Sequence, residues 1–142
     1  MTLKQLTIYP LLKKYNVKPK KSLGQNFLVE PAGLIKVIEA AELTTLDEVL
    51  EIGAGLGSLT YLLAQATKQV TAVEIDRAML SPLCEALAEF NNVKIVEGDI
   101  LELKPDELMR QQDYVVVANI PYYISSAIIR HLMQAQSRPK RV

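Results

Sequence analysis

The sequence predicts an α/β fold in which helices cover both faces of a mostly parallel sheet. Two observations predict this fold. Short apolar runs that suit buried strands alternate along the chain with segments whose apolar residues recur at helical spacing. A glycine-rich turn joins the first of these runs to the helix after it. At 142 residues the chain is long enough for one domain with a substantial core.

The first part of the chain predicts helices and a loop but no strand. Residues 2–15 can form a short helix that is broken or begins near Pro10, and residues 16–29 show little periodicity and predict a loop. Pro31 suits the first position of a second helix, because that position leaves its amide hydrogen unpaired in any case. The apolar stripe of this helix comprises Leu34, Val37, Ile38 and Ala41.

Four predicted strands follow, at residues 47–53, 69–75, 93–99 and 114–118. Ser81 and Pro82 predict the N-cap and the first residue of one of the intervening helices. The apolar stripes of the helices are Leu59, Leu62, Leu63 and Ala66, then Leu83, Leu87 and Phe90, and finally Ile128, Ile129, Leu132 and Met133.

Residues 138–142 follow the last helix at the point where a fifth strand should begin. A sheet that ended at its fourth strand would expose an unpaired edge. We therefore expect a fold truncated after the fourth strand, in a chain that is part of a longer protein.

The composition excludes several classes of protein. The single cysteine, Cys84, rules out an internal disulfide framework and suits a reducing compartment. With a single histidine, His131, the chain cannot build a zinc site from histidines and cysteines, and we expect no metal. It has no apolar run of membrane-spanning length and no secretory signal, so we expect a cytoplasmic protein without membrane contact.

The formal net charge is zero, but the charges are segregated. Residues 1–29 contain six lysines and no acid, residues 30–113 contain all sixteen acids, and residues 114–142 contain four bases and no acid. Such asymmetry indicates a polyanionic partner at the basic ends, although a solvated lysine-rich terminus would look the same.

The stretch EIGAGLG, residues 51–57, forms the glycine-rich turn. Gly53 and Gly55 would let the backbone approach a ligand closely, because a Cβ atom there would stand in the way. Their G-x-G-x-G spacing also suits a merely tight turn. Glu74 closes the second strand 21 residues after Gly53. A carboxylate at that place can accept hydrogen bonds from both ribose hydroxyls of a nucleoside.

Two more polar residues are predicted at the same edge of the sheet. Asp99 lies at the end of the third strand, where its carboxylate can accept a hydrogen bond from an adenine amine, and Asn119 follows the fourth strand. Because open α/β sheets bind their ligands at the carboxyl ends of the strands, these residues should converge on one ligand. The sequence therefore predicts an adenosine compound, with NAD and S-adenosylmethionine as the alternatives.

The stretch NIPYY, residues 119–123, decides between those two cofactors. The amide oxygen of Asn119 and the backbone carbonyl of Ile120 can each accept one N–H of an amine and so aim its lone pair at a methyl donor. Pro121 fixes its own φ and holds the turn open. Tyr122 offers a stacking face for a base. Hydride transfer to nicotinamide requires none of these features, so NIPYY favours S-adenosylmethionine.

The sequence resembles the N-terminal portion of the KsgA-type ribosomal RNA adenine dimethyltransferases. The matching stretches are KKSLGQNFL (20–28), VLEIGAGLGSLT (49–60), AVEID (72–76), GDIL (98–101) and VVANIPYYIS (116–125). The glycine turn is shared by most methyltransferases, whereas SLGQNFL together with NIPYY is specific. The resemblance spans essentially the whole chain and implies a Rossmann-like class I S-adenosylmethionine-dependent methyltransferase fold.

The resemblance also implies an organisation and a set of roles. Residues 1–29 would form a basic segment with a loop that covers the cofactor, and residues 30–142 the N-terminal part of the methyltransferase domain. Catalysis would fall to Asn119, Pro121 and Tyr122. The residues implied in binding S-adenosylmethionine are Asn26 and Leu28 at its methionine end, Gly53, Glu74 on ribose, Asp99 on adenine, and Asn119.

The implied activity is N6,N6-dimethylation of adenines in small-subunit (16S) ribosomal RNA, carried out by a monomer on an immature small subunit. Ile120 stands where the family commonly has leucine, and it offers the same backbone carbonyl. Two alternatives remain open. Methyltransferases of large-subunit (23S) RNA that give macrolide resistance share the layout and this isoleucine, and a non-catalytic RNA-binding relative could share the fold.

Overall fold

The computed structural model describes residues 10–11, 13–18 and 31–142. Four strands form one sheet in the order β3-β2-β1-β4, and every neighbouring pair is parallel. The strands are β1 (Glu48–Ile52), β2 (Gln69–Glu74), β3 (Val93–Glu97) and β4 (Val115–Ala118). The predicted parallel sheet is confirmed, with each strand slightly shorter than its apolar run.

The helices lie between the strands and at either end of the described chain. They are α1 (Pro31–Ala41), α2 (Ser58–Ala66), α3 (Leu80–Ala86), α4 (Pro105–Leu108) and α5 (Ser125–Gln134), with 3-10 turns at Arg77–Met79 and Tyr122–Ile124. Residues 10, 11, 13 and 14 are also helical, in agreement with the predicted helix near Pro10.

Each face of the sheet has its own apolar core, because successive side chains of a strand point to opposite faces. On one face, Val49 of β1 packs with Leu34, Leu63 and Leu83 of α1, α2 and α3. On the other, Leu50 packs with apolar residues of α5, and α4 packs against the same cluster. Strands buried on both faces have nearly continuous apolar sequences, which explains why β1, β2 and β4 could be predicted. β3 lies at the edge of the sheet, and its exposed Lys94 and Glu97 lie among partly buried apolar residues.

The strand order changes direction at β1. From β1 to β3 the chain adds strands on one side, and the connection after β3 returns to place β4 on the other side of β1. In open α/β sheets the loops that leave the two strands at such a point diverge and open a crevice. The crevice is expected beyond Ile52 and Ala118, which pair at the carboxyl ends of β1 and β4.

Three details differ from the sequence prediction. Ser81 is not an N-cap, because the helical path already begins with the 3-10 turn, where Asp76 Oδ1 accepts a hydrogen bond from the amide of Ala78 (3.1 Å). Helix α3 ends at Ala86, so Phe90 lies outside it. In α5 only half of the predicted stripe is buried: Ile129 and Met133 are each 46% exposed.

Residues 138–141 run beside β4 in the place predicted for a fifth strand. Arg141 forms a parallel bridge with Val115, and the amide of Lys140 donates to the carbonyl of Tyr114 (2.8 Å). Lys140 Nζ also donates to Oδ1 of the buried Asp47 (2.5 Å), and Arg141 Nη2 donates to the carbonyl of Ala41 at the end of α1 (2.9 Å). The segment thus joins the sheet edge to the loop that precedes β1.

We expect Lys140→Met to lower the free energy of unfolding at pH 7 by roughly 1–3 kcal/mol, because it leaves a buried carboxylate without its charged partner. The Lys140 ammonium lowers the pKa of Asp47 below its usual value of 3.8. The contribution of Asp47 is therefore full above pH 3.8 and is lost as the pH falls through its lowered pKa.

Urea unfolding at several pH values measures this effect. Lys104→Met is the control, since that lysine pairs with Glu107 at 3.8 Å on an exposed surface and such pairs contribute little. Equal stability of wild type and Lys140→Met at pH 7 would contradict the prediction.

Candidate active site

The glycine turn follows β1 and has a left-handed backbone at its three glycines. Gly53, Gly55 and Gly57 have φ angles of +80°, +57° and +85°. A Cβ atom on Gly57 would lie 2.9 Å from Cδ1 of Leu83, so this glycine is needed for packing against α3. A Cβ atom on Gly55 would meet nothing within 4 Å. The turn therefore packs tightly at its helix end and borders open space at its centre.

Glu74, at the end of β2, is bound to the glycine turn. Its side chain is buried (4% exposed), with Oε1 accepting from the amide of Gly55 (2.7 Å) and Oε2 from the amide of Asp76 (2.8 Å). These two bonds fix the carboxylate beside the turn. Each carboxylate oxygen has a second lone pair, so both can still accept a hydrogen bond from a ligand.

Glu51, within β1, is a buried acid to which the sequence analysis assigned no role. It is 1% exposed and accepts a hydrogen bond from the hydroxyl of Thr60 in α2. Burial raises the pKa of Glu51 to about 7; the nearby charge of Glu74 adds to this increase and the Thr60 hydrogen bond opposes it. The sequence shows Glu51 as an acid inside an otherwise apolar strand. Burying a charged group there is costly, so such a residue can be recognised as unusual.

The end of β3 lies beside Glu74, since the amide of Gly98 donates to the Glu74 carbonyl (3.0 Å). Asp99 comes two residues after the strand, where its Oδ1 accepts from the amide of Leu101 (2.9 Å). Ile75, which follows Glu74, is 48% exposed. Ile75 was predicted as the last residue of the strand, and an exposed apolar side chain here can cover one face of a flat ligand.

Asn119 directly follows β4 and is exposed at the same edge. A Cβ atom on Gly53 would lie 3.4 Å from Cγ2 of Ile120 and 3.8 Å from the carbonyl oxygen of Asn119. The structure thus brings the glycine turn and the NIPYY stretch into contact. Within the described part of the chain, no hydrogen bond engages the Asn119 side chain, which leaves its amide available to a ligand.

Two tyrosines project from the 3-10 turn that follows Pro121. The side chain of Tyr122 is 89% exposed and that of Tyr123 is 65% exposed. Their ring centroids lie 6.3 Å apart and their planes are inclined at 78°. Such exposure of two adjacent aromatic rings is unusual for residues whose role is packing, and it leaves their faces free to stack on planar groups.

Two residues of the predicted site, Asn26 and Leu28, lie outside the described residues. The adjacent described segment, residues 13–18, packs near the glycine turn, because Val17 contacts the cluster of Leu56 and Met79. Glu85 of α3 holds this segment by accepting hydrogen bonds from Lys14 Nζ (2.8 Å) and the Tyr15 hydroxyl (2.5 Å). These bonds lower the pKa of Glu85.

Across residues 10–11, 13–18 and 31–142, no cluster of three or more histidine, cysteine or acidic side chains has the geometry of a metal site. Within the same residues, no helix combines the length and the apolar character that crossing a membrane requires.

Comparison with known proteins gives consistent matches. The sequence profile of the family described as Ribosomal RNA adenine dimethylase matches residues 16–142. A ribosomal RNA small subunit methyltransferase A of Dehalococcoides mccartyi is 39% identical over 131 residues, covering 92% of this chain and 45% of the relative. The chain therefore spans about half the length of the curated relatives that it matches.

Two solved structures are also similar. A dimethyladenosine transferase from Plasmodium falciparum superposes with a TM-score of 0.69 at 36% identity, covering 81% of this chain and 41% of that one. The 23S rRNA methyltransferase ErmE gives a TM-score of 0.69 at 35% identity, covering 80% and 45%. The sheet and helices described above are thus those of methyltransferases.

Proposed function

The chain belongs to the ribosomal RNA adenine dimethylase family, and from this premise we propose that its protein transfers methyl groups from S-adenosylmethionine to the N6 amines of adenines in small-subunit ribosomal RNA, giving dimethyladenosine. One observation carries the proposal: the glycine turn at Gly53 lies beside the Asn119–Ile120 tip, because the preceding residues Ile52 and Ala118 pair in the sheet. A cofactor on the turn and an amine at the tip would then be neighbours. The curated relative is a small-subunit enzyme, which favours this substrate over large-subunit RNA.

The residues at the sheet edge fit an adenosine group. Glu74, already fixed by two backbone amides, offers acceptors to the ribose hydroxyls. Asp99 has one oxygen bound to the amide of Leu101 and a second oxygen to accept from the adenine amine. Ile75 can cover one face of the adenine ring, and the open space at Gly55 admits the rest of the molecule. S-adenosylmethionine supplies an electrophilic methyl group when bound.

Asn119 and Ile120 would orient the amine that accepts the methyl group. The exocyclic nitrogen of adenine is a poor nucleophile, because its lone pair is delocalised into the ring. The Asn119 amide oxygen and the Ile120 carbonyl would each accept one N–H and turn the lone pair out of the ring plane. Pro121, with φ of −58°, keeps the turn open, and Tyr122 stacks on the base. The methylated nitrogen becomes strongly acidic and loses its proton to water.

The remaining parts of the proposal concern the partner and the cell. Residues 1–29, including Asn26 and Leu28, would cover the methionine end of the cofactor and place their lysines on RNA phosphates. Lys13 and Lys18 are exposed at the described end of this segment. The partner is ribosomal RNA in an immature small subunit, and the protein acts as a cytoplasmic monomer.

Methyl transfer from labelled S-adenosylmethionine tests this function. The complete protein is incubated separately with immature small subunits and with large-subunit RNA, both lacking adenine methylation, and the labelled nucleoside is identified by mass. We expect N6,N6-dimethyladenosine in the small-subunit RNA. Label confined to large-subunit RNA, to another nucleoside, or absent from both substrates would overturn the proposal.

A further inference from the structure

We propose that Tyr123 stacks on the nucleotide next to the target adenine, so that the tip holds two neighbouring bases that are unstacked from each other, one on Tyr122 and one on Tyr123. The proposal rests on the proposed function and deepens it. It defines the substrate as a single-stranded or locally opened segment of RNA, and it makes Tyr123 a residue that selects for a base beside the target.

The angle between the two rings carries this inference. Their planes are inclined at 78° with centroids 6.3 Å apart, in an edge-to-face arrangement. A base that stacks on one ring lies parallel to it, so two bases stacked on the two rings are themselves almost perpendicular. Neighbouring bases in a helix are parallel. Only a strand that turns sharply between the two nucleotides can occupy both rings.

The exposure of Tyr123 supports a role in binding. Its side chain is 65% exposed although it is aromatic, and base–aromatic stacking is the usual way in which proteins hold unpaired nucleotides. It belongs to the same 3-10 turn as Tyr122, so both rings are positioned by the turn after Pro121. The two bases would therefore be held by adjacent residues of one backbone turn.

The charge of the surrounding chain suits a nucleic acid strand. Residues 114–142 contain four basic residues and no acid. Arg130 is exposed in α5, seven residues after Tyr123 in the sequence. No ion pair links Arg130 to a carboxylate of the described residues. The stretch of sequence around Tyr123 therefore offers positive side chains and no acid to a phosphate.

The test uses the complete protein and short single-stranded RNAs with one adenine. Each RNA is made in three forms: with the bases on both sides of the adenine present, with the 5′ neighbour abasic, and with the 3′ neighbour abasic. Tyr123→Ala should weaken binding and lower kcat/KM for methyl transfer by roughly 5- to 100-fold with the intact RNA, the range expected for one lost base stack. Tyr123→Phe should stay within about twofold of wild type, because it keeps the ring face. Ile129→Ala, at an exposed apolar side chain of α5, is the control and should change neither value.

The RNAs that lack one flanking base identify the contact. One of the two flanking bases, 5′ or 3′, should be the base that Tyr123 contacts. Removing that base should lower the affinity and kcat/KM of wild type by the same factor as the Tyr123→Ala substitution does. Its removal should not lower the affinity or kcat/KM of the Tyr123→Ala variant any further. Equal losses in wild type and variant for both flanks, or an unaffected Tyr123→Ala, would overturn the inference. The dissociation constant for RNA can be measured without methyl transfer. A protein that binds with this pattern but transfers no methyl group to immature small subunits would overturn the proposed function and leave the stacking role standing.

Discussion

Asn119→Ala is expected to lower kcat for methyl transfer on the order of 10²-fold or more, and to weaken the binding of S-adenosylmethionine far less. The loss follows from removing a preorganised polar contact that acts on the amine as its nitrogen changes geometry. Within the described residues the Asn119 side chain makes no hydrogen bond, and it is exposed. The variant should therefore fold as wild type does.

Single-turnover methyl transfer and calorimetric titration of the cofactor separate the two effects. Asn91→Ala is the matched control, because it removes another exposed asparagine amide, from the loop before β3. We expect its turnover to equal that of wild type. If Asn119→Ala weakened cofactor binding as much as it slowed turnover, Asn119 would be a cofactor ligand without a separate part in catalysis.

Glu74→Ala is expected to weaken S-adenosylmethionine binding by roughly 1–3 kcal/mol, the usual cost of unpairing buried polar groups. Two losses combine in this variant. The ribose hydroxyls lose their acceptor, and the amides of Gly55 and Asp76 lose the carboxylate that positions them. Glu74→Gln should fall between wild type and Glu74→Ala, because it keeps one of the two acceptor oxygens.

The control for this prediction is Glu97→Ala, which removes the exposed carboxylate paired with Glu74 in the register of β2 and β3. Calorimetry should find its cofactor affinity unchanged. Unchanged affinity in Glu74→Ala would remove Glu74 from the site. Tighter binding of NAD than of S-adenosylmethionine by wild type would refute the cofactor assignment altogether.

Three strands of the sheet could be predicted from the sequence because burial on both faces leaves an apolar run at β1, β2 and β4. Helix α4 could not, since its four residues, PDEL, are too few for any periodicity. The beginning of the path into α3 was misplaced because Ser81 and Pro82 resemble a cap, whereas Asp76 already caps the preceding 3-10 turn. The start of this helical segment was thus predicted wrongly because two possible N-caps, Asp76 and Ser81, lie within a few residues of each other.

The site was partly predictable for a similar reason. Residues at strand ends, such as Glu74 and Asn119, can be located by counting along a parallel sheet. No role was predicted for Glu51, because its hydrogen bond comes from Thr60, which lies nine residues later in another element. The angle between Tyr122 and Tyr123 depends on the turn that holds them, and no spacing in the sequence encodes it.

The contacts made by residues 140 and 141 also bear on how the chain folds during its synthesis. Lys140 lies 93 positions after its partner Asp47, and Arg141 lies 100 positions after Ala41. A ribosome adds about 5–20 residues per second, so Lys140 is synthesised roughly 5–20 s after Asp47. Until then the Asp47 carboxylate must remain hydrated. β1 is the first strand of the sheet to be made, yet its surroundings are completed only after β4 and α5 have emerged.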